Sequence, residues 1–278
     1  MGRRLRMSDT AFYLSDEIIE KILSRLPLKS LLKYKMVCRP WDSLIRDRHF
    51  IYMHLSHSID NPNYLIGVTN SENLKLYLLE DDGESECKIT NIPFPVCKKL
   101  KFATFVGSAC GWVCLNDLWS DDVHICNPAT GQAITLSKDG QQPRIGFGIG
   151  QESDEYVVCQ IFENIQVNDV NHPYDCEIYS SKTCSWKHIC SIPYDIDSYV
   201  YAFANGAFHW YNGSDAIISV DIKEEKENVR FTQLPESIVN AVIFLDEWRG
   251  SLAVFVVKGL EVKVWILKDC GESSWTKK

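Results

Sequence analysis

The chain has 278 residues, 45% of them hydrophobic and 12% aromatic, the composition of a folded protein with room for one small module and one larger domain. Its net charge of −8 is unevenly laid out: the stretch from Met1 to His57 carries 11 basic and 6 acidic side chains, the remainder 18 and 31. So acidic a remainder argues against nucleic acid as a partner, and no apolar run is long enough to span a bilayer or to act as a signal peptide.

The first legible elements lie between Leu14 and Phe50. Ser15 stands at an N-cap position, with Asp16 and Glu17 in the first turn against the positive end of the helix dipole. Ile18, Ile19, Ile22, Leu23 and Leu26 recur at helical spacing, and Pro27 predicts the stop. Leu28, Leu31, Leu32, Met36 and Val37 form a second apolar series among Lys29, Lys33 and Lys35. Pro40 suits the first position of a third helix, capped by Cys38 or Arg39, with Trp41, Leu44 and Ile45 on its apolar side. A segment this small cannot bury so much apolar surface by itself. It is either a helical cap on the rest of the chain or a module that docks on a partner.

The order of these residues resembles the F-box, especially the plant type. The resemblance rests on Ile22-Leu23 with Arg25-Leu26-Pro27, then Lys29-Ser30-Leu31, Val37-Cys38 with Trp41, and Ser43-Leu44-Ile45 before Phe50. It implies docking onto the SKP adaptor, and through it cullin, of an SCF-type ubiquitin ligase. The residues it assigns to the adaptor are Leu14, Ile18, Ile22, Leu23, Leu26, Pro27, Leu31, Val37, Cys38 and Trp41. One departure is Ser15, where the family usually has proline, which implies a lower adaptor affinity than is typical.

After about residue 60 the helical period gives way to short β-branched and aromatic runs punctuated by Gly, Asn, Asp and Pro, an all-β pattern. Strand candidates include Gly111–Leu115, Tyr156–Phe162, Ala204–Trp210 and Ser251–Val257. A strand–turn–strand unit recurs around Tyr77, Ile125, Ile178, Val220 and Val264, at spacings of 48, 53, 42 and 44 residues. That period fits four-stranded propeller blades, which must stack to bury their faces. Hairpins of an ordinary β-sandwich are the alternative.

This half resembles the plant F-box-associated domain, a kelch-like propeller that binds the protein to be ubiquitinated. The matching residues are Gly107-Ser108-Ala109-Cys110-Gly111-Trp112 with Asn127-Pro128, Gly146-Phe147-Gly148, Glu177-Ile178-Tyr179-Ser180 with Ser185-Trp186, Asn205-Gly206-Ala207-Phe208-His209-Trp210, and Val264-Trp265-Ile266-Leu267. Relatives run further past the final Ser-Trp-Thr-Lys element, so the resemblance implies an incomplete propeller with an exposed edge. Together the two resemblances imply an F-box at residues 10–56 and an F-box-associated domain at 60–278.

No catalytic constellation stands out. Gly146-x-Gly148-x-Gly150 opens no helix and cannot cradle a phosphate in the dinucleotide manner. Asp81-Asp82, Asp121-Asp122 and Asp154-Glu155 are carboxylate pairs in turn contexts, and His209 beside Trp210 reads as packing. The eleven cysteines are odd in number and scattered through apolar runs, which predicts reduced thiols in a cytoplasmic or nuclear protein. His124 with Cys126 and His188 with Cys190 are too far apart to make one metal site, so neither metal nor cofactor is expected. Trp186 and Trp275 occupy equivalent repeat positions, whereas Trp119 and Trp248 sit among polar residues and are the candidate recognition aromatics. The expected role is a non-catalytic substrate receptor. The alternatives are an adaptor-binding decoy and, behind it, a propeller-type glycan-active enzyme.

Overall fold

The computed structural model describes residues 14–58, 64–69, 74–80, 88–92, 100, 103–109, 111–128, 131–137, 143–150, 155–163, 174–196, 199–222, 228–235, 241–269 and 274–278. The expected module's residues 10–13, the pair Asp81-Asp82, Cys110 and Asp154 lie outside them. The chain divides into two compact units, Met1–Pro62 and Asn63–Lys278.

The first unit holds four helices: α1 Asp16–Leu23, α2 Leu28–Tyr34, α3 Arg39–Ile45 and α4 Arg48–Ser58. Ser15 is the N-cap residue of α1, but its side chain makes no capping bond; only its carbonyl engages, accepting from the N–H of Ile18 and of Ile19. The first helix ends at Leu23, earlier than the proline predicts, because Arg25 and Leu26 donate to the carbonyls three residues back and tighten the last turn. Pro27 instead caps α2, its carbonyl receiving the N–H of Ser30 and of Leu31. Cys38 is the N-cap of α3, and Pro40 takes its second position, where a missing N–H still costs nothing. The sequence pattern predicts three helices, and α4 is the fourth. Phe50 anchors it in a small core with Leu23, Leu31 and Ile45, and the His54 ring bonds the Leu26 carbonyl at 3.0 Å.

The second unit is a succession of antiparallel sheets. The first holds β1 Tyr64–Thr69, β2 Leu74–Glu80 and β3 Lys88–Ile92. The second holds β4 Ala103–Ala109, β5 Trp112–Asp117, β6 Val123–Asn127 and β7 Gln132–Leu136. The third is β8 Arg144–Ile149, β9 Tyr156–Glu163, β10 Tyr174–Ser180 and β11 Ser185–Ile192. The fourth is β12 Tyr201–Ala204, β13 Ala207–Tyr211, β14 Ala216–Asp221 and β15 Val229–Gln233. The fifth is β16 Val242–Trp248, β17 Ser251–Lys258, β18 Glu261–Asp269 and β19 Ser274–Lys277. The first strands of successive sheets are neighbours, β4 beside β8, β8 beside β12 and β12 beside β16, with β1 beside β4. This is a propeller-like arrangement of four-stranded sheets that do not close into a ring among the described residues.

The sequence repeat has a structural meaning. Ile125, Ile178, Val220 and Val264 all fall on the third strand of their sheets. Tyr77 falls on β2, which makes the three strands of the first sheet equivalent to the second, third and fourth strands of the others. Trp186 and Trp275 are each the second residue of a fourth strand. One strand candidate is corrected: Ala204–Trp210 is a hairpin, with Asn205 and Gly206 both at positive φ (51° and 76°) between β12 and β13. Arg249-Gly250 repeats that two-residue turn between β16 and β17.

The core lies between successive sheets. Along β9, Tyr156 and Val158 pack toward the second sheet, while Val157, Cys159 and Ile161 pack toward the fourth. Both faces are therefore buried, which explains why Tyr156–Phe162 reads as an apolar run interrupted only at Gln160. In the fifth sheet Ile243, Val254, Val256 and Leu267 pack on the fourth sheet, while Val242, Phe244 and Val262 are exposed. No helix among the described residues is long and apolar enough to cross a membrane.

Candidate functional site

Two features can receive a macromolecule, one in each unit. In the helical unit, short amphipathic helices share a core too small for their apolar residues. Leu14, Ile18, Ile22, Met36 and Val37 are left exposed, Met36 at 78%. Pro27 and Cys38 are exposed as well. Leu26 and Trp41 are partly buried against the core, and the Trp41 ring meets Tyr34 edge to face with centroids 5.8 Å apart. Leu23 and Leu31 differ from the rest of the expected adaptor-facing set. At 2% and 1% exposure they form the core itself and offer no surface in this fold. Helical spacing could not separate them from their neighbours, because the apolar stripe is wider than the face that packs. Partial burial, then the Arg46 charge, lowers the pKa of Lys35 at the edge of this patch.

In the β unit, the last residues of β4, β8, β12 and β16 surround a cavity of about 650 Å³. A single side chain ties three of the sheets together at its rim. The Tyr201 hydroxyl donates to the Val106 carbonyl (2.8 Å) and accepts from the Phe147 N–H (3.1 Å), joining the second, third and fourth sheets. Glycine makes this clamp possible, since a Cβ on Gly107 would stand 2.9 Å from that hydroxyl. A Cβ on Gly148 would stand 2.5 Å from the Phe203 ring, and one on Gly146 would stand 2.8 Å from Phe208. The glycine-rich stretch thus serves close packing of sheets.

Sequence reasoning missed this cavity. A signal was present, because Gly and Ala recur on the first strands at Gly107, Ala109, Gly148, Ala202 and Ala204, all of which line it. The polar lining comprises Ser108, Asn205, Asp246 and Glu247 beside the Tyr201 hydroxyl. Trp248, 47% exposed, directly follows Glu247. Trp119, 82% exposed, lies in the turn between β5 and β6, at the opposite end of its sheet from the lining residues Ser108 and Ala109. The structure therefore does not bring the two candidate tryptophans together.

The remaining candidates have structural partners. The His209 ring is buried, with Nδ1 2.8 Å from Ser219 Oγ and Nε2 3.2 Å from the Ala204 carbonyl. A carbonyl can only accept, so Nε2 carries the hydrogen and Nδ1 accepts from the serine. Burial pushes its pKa down to about 4, which keeps the ring neutral. His124 Nδ1 lies 2.9 Å from Thr135 Oγ1, and His188 Nε2 lies 3.4 Å from Asp175 Oδ1. Among the described residues no three His, Cys, Asp or Glu side chains converge as metal ligands, and seven cysteines are free thiols. Cys159 and Cys176 stand 3.4 Å apart, sulfur to sulfur, within the core.

Comparison with known proteins follows the same division. Residues 12–52 match the F-box domain, and residues 64–278 match the F-box associated beta propeller domain. The chain is similar to an F-box/kelch-repeat protein of Arabidopsis thaliana, 26% identical, with 94% of this chain and 77% of the relative covered. It is equally similar, at 26% identity, to the F-box protein CPR1 of that plant, with 94% and 71% covered. Among solved structures TolB from Acinetobacter baumannii superimposes with a TM-score of 0.50 at 13% identity, over 82% of this chain and 56% of TolB. That likeness concerns the fold alone.

Proposed function

The chain belongs to the plant-type F-box proteins that carry an F-box-associated beta propeller domain, and on that premise we propose that it is the substrate-recognition subunit of an SCF-type ubiquitin ligase. Residues 10–56 dock on a SKP-family adaptor and through it on cullin. Residues 60–278 hold a target protein for ubiquitination and proteasomal degradation. The chain breaks no bond itself. It raises the effective concentration of target lysines beside the ligase's ubiquitin carrier, and the rate gain comes from proximity.

The observation that carries this reading is the uncovered apolar face of the helical unit. Leu14, Ile18, Ile22 and Val37 supply contact area, with Pro27 and Cys38 beside them. Leu26 and Trp41 form the shoulder between face and core, and Leu23 and Leu31 hold the helices in place. An excess of basic side chains between Met1 and His57 favours an acidic partner during encounter.

Recovery of the SKP adaptor with the full chain and with a double variant, Ile22→Asp plus Val37→Asp, tests it. Both positions are exposed, so the helices keep their core. Adaptor recovery should fall by about tenfold or more, as expected when central apolar contacts are replaced by charge. Equal recovery from both proteins would remove the proposed docking face.

A further inference from the structure

Building on the substrate-receptor reading, we propose that the cavity among β4, β8, β12 and β16 receives a lysine or arginine side chain of the target protein, presented on an extended basic segment. At about 650 Å³ the cavity is within the range of sites that enclose a short piece of ligand. Its apolar lining includes Val106, Ile149, Phe203 and Leu245 beside Gly107, a surface against which the hydrocarbon stem of a long side chain can lie.

Charge sets the choice of ligand. Among the described residues no lysine, arginine or histidine lines the cavity, whereas Asp246 and Glu247 both do. Asp246 Oδ1 accepts only from the N–H of Glu247, and Glu247 Oε1 only from the N–H of Gly250. Neither carboxylate has a cationic partner among the described residues. The side chains of Ser108 and Asn205, on the same lining, have no hydrogen-bond partner there either. A cation entering this space gains charge-assisted hydrogen bonds without displacing an existing ion pair. Residues 58–278, with 31 acidic and 18 basic side chains, add a long-range field of the same sign. Two exposed carboxylates are too few to hold a metal ion, and an apolar wall suits a hydrocarbon stem better than a hydrated cation.

The test uses the full chain bound to its adaptor and, as probe, a phage library of random heptapeptides. Selection should enrich Lys or Arg, and the enriched peptides should bind about tenfold more weakly to the variant Asp246→Asn plus Glu247→Gln, the effect of losing charged hydrogen bonds. Salt should weaken the wild-type complex more than the variant's. Peptides enriched in acidic or purely apolar residues, absence of any consensus, or equal binding to the variant would overturn the inference. Adaptor recovery is read in the same preparations. Its retention alongside a failed selection refutes the cavity's role alone, whereas its loss from wild type refutes the receptor reading.

Discussion

The helical unit and the β unit handle the same hydrophobic effect in opposite ways. Among the described residues of the first, four apolar side chains are fully buried and six large ones are exposed. In the second, strands such as β9 and β14 bury both faces, and apolar side chains fill three successive gaps between sheets. A small unit cannot hide its apolar surface and is completed by a partner. A stack of sheets buries its inner strands on both faces, although it too exposes large apolar side chains such as Trp119, Phe244 and Leu260. The two halves also differ in sign, basic as far as His57 and acidic beyond it.

The sharpest way to break this comparison is to damage one half and watch the other. Trp210, fully buried between the third and fourth sheets, should cost about 3–5 kcal/mol when replaced by Ala. Urea unfolding would register that loss, while adaptor recovery should stay at the wild-type level; loss of both would mean that the halves are not independent.

The next effect is a pH dependence of the β unit. His209 has its pKa lowered from 6.5 to about 4, so between those values the unfolded chain binds a proton that the folded β unit refuses. Stability from this group is fully present above pH 6.5 and is lost as pH falls toward 4, by about 3 kcal/mol in all. Urea unfolding between pH 7 and 4.5 measures it, and His209→Asn should flatten that part of the slope.

The smallest effect sharpens the docking edge. Ser15 already has φ at −67°, the value a proline ring imposes, and its side chain makes no cap bond. Ser15→Pro should therefore stabilise the helical unit by about 0.4–1 kcal/mol and tighten adaptor binding. A drop in the midpoint of far-ultraviolet circular dichroism melting would show that this edge needs the serine.

Much of this was legible beforehand. The apolar stripe and prolines of residues 14–50 place three of the four helices, because helix period and proline chemistry are local. The fourth escaped because the segment from Arg48 to Ser58 carries three histidines and no regular apolar stripe; Phe50 in the core and the bond from His54 to the Leu26 carbonyl hold it in place. The repeat around Ile125, Ile178, Val220 and Val264 announced stacked sheets, since a strand that recurs at a fixed interval must meet the same environment each time. Its local neighbours were less certain: Ala204–Trp210 reads as one strand until the positive φ of Asn205 and Gly206 folds it into a hairpin.

What the sequence determined by itself is the division of labour: a short amphipathic helical module, then a repeating β domain of opposite charge, because periodicity, turn chemistry and net charge are properties of neighbours along the chain. Only the tertiary structure decided which members of the apolar stripe are core and which are surface, placing Leu23 and Leu31 inside and Ile22 and Val37 outside. It alone brought Gly107, Phe147, Tyr201 and Glu247, each from a different sheet, around one cavity. Such contacts depend on how sheets stack, and that geometry is written in no single stretch of chain.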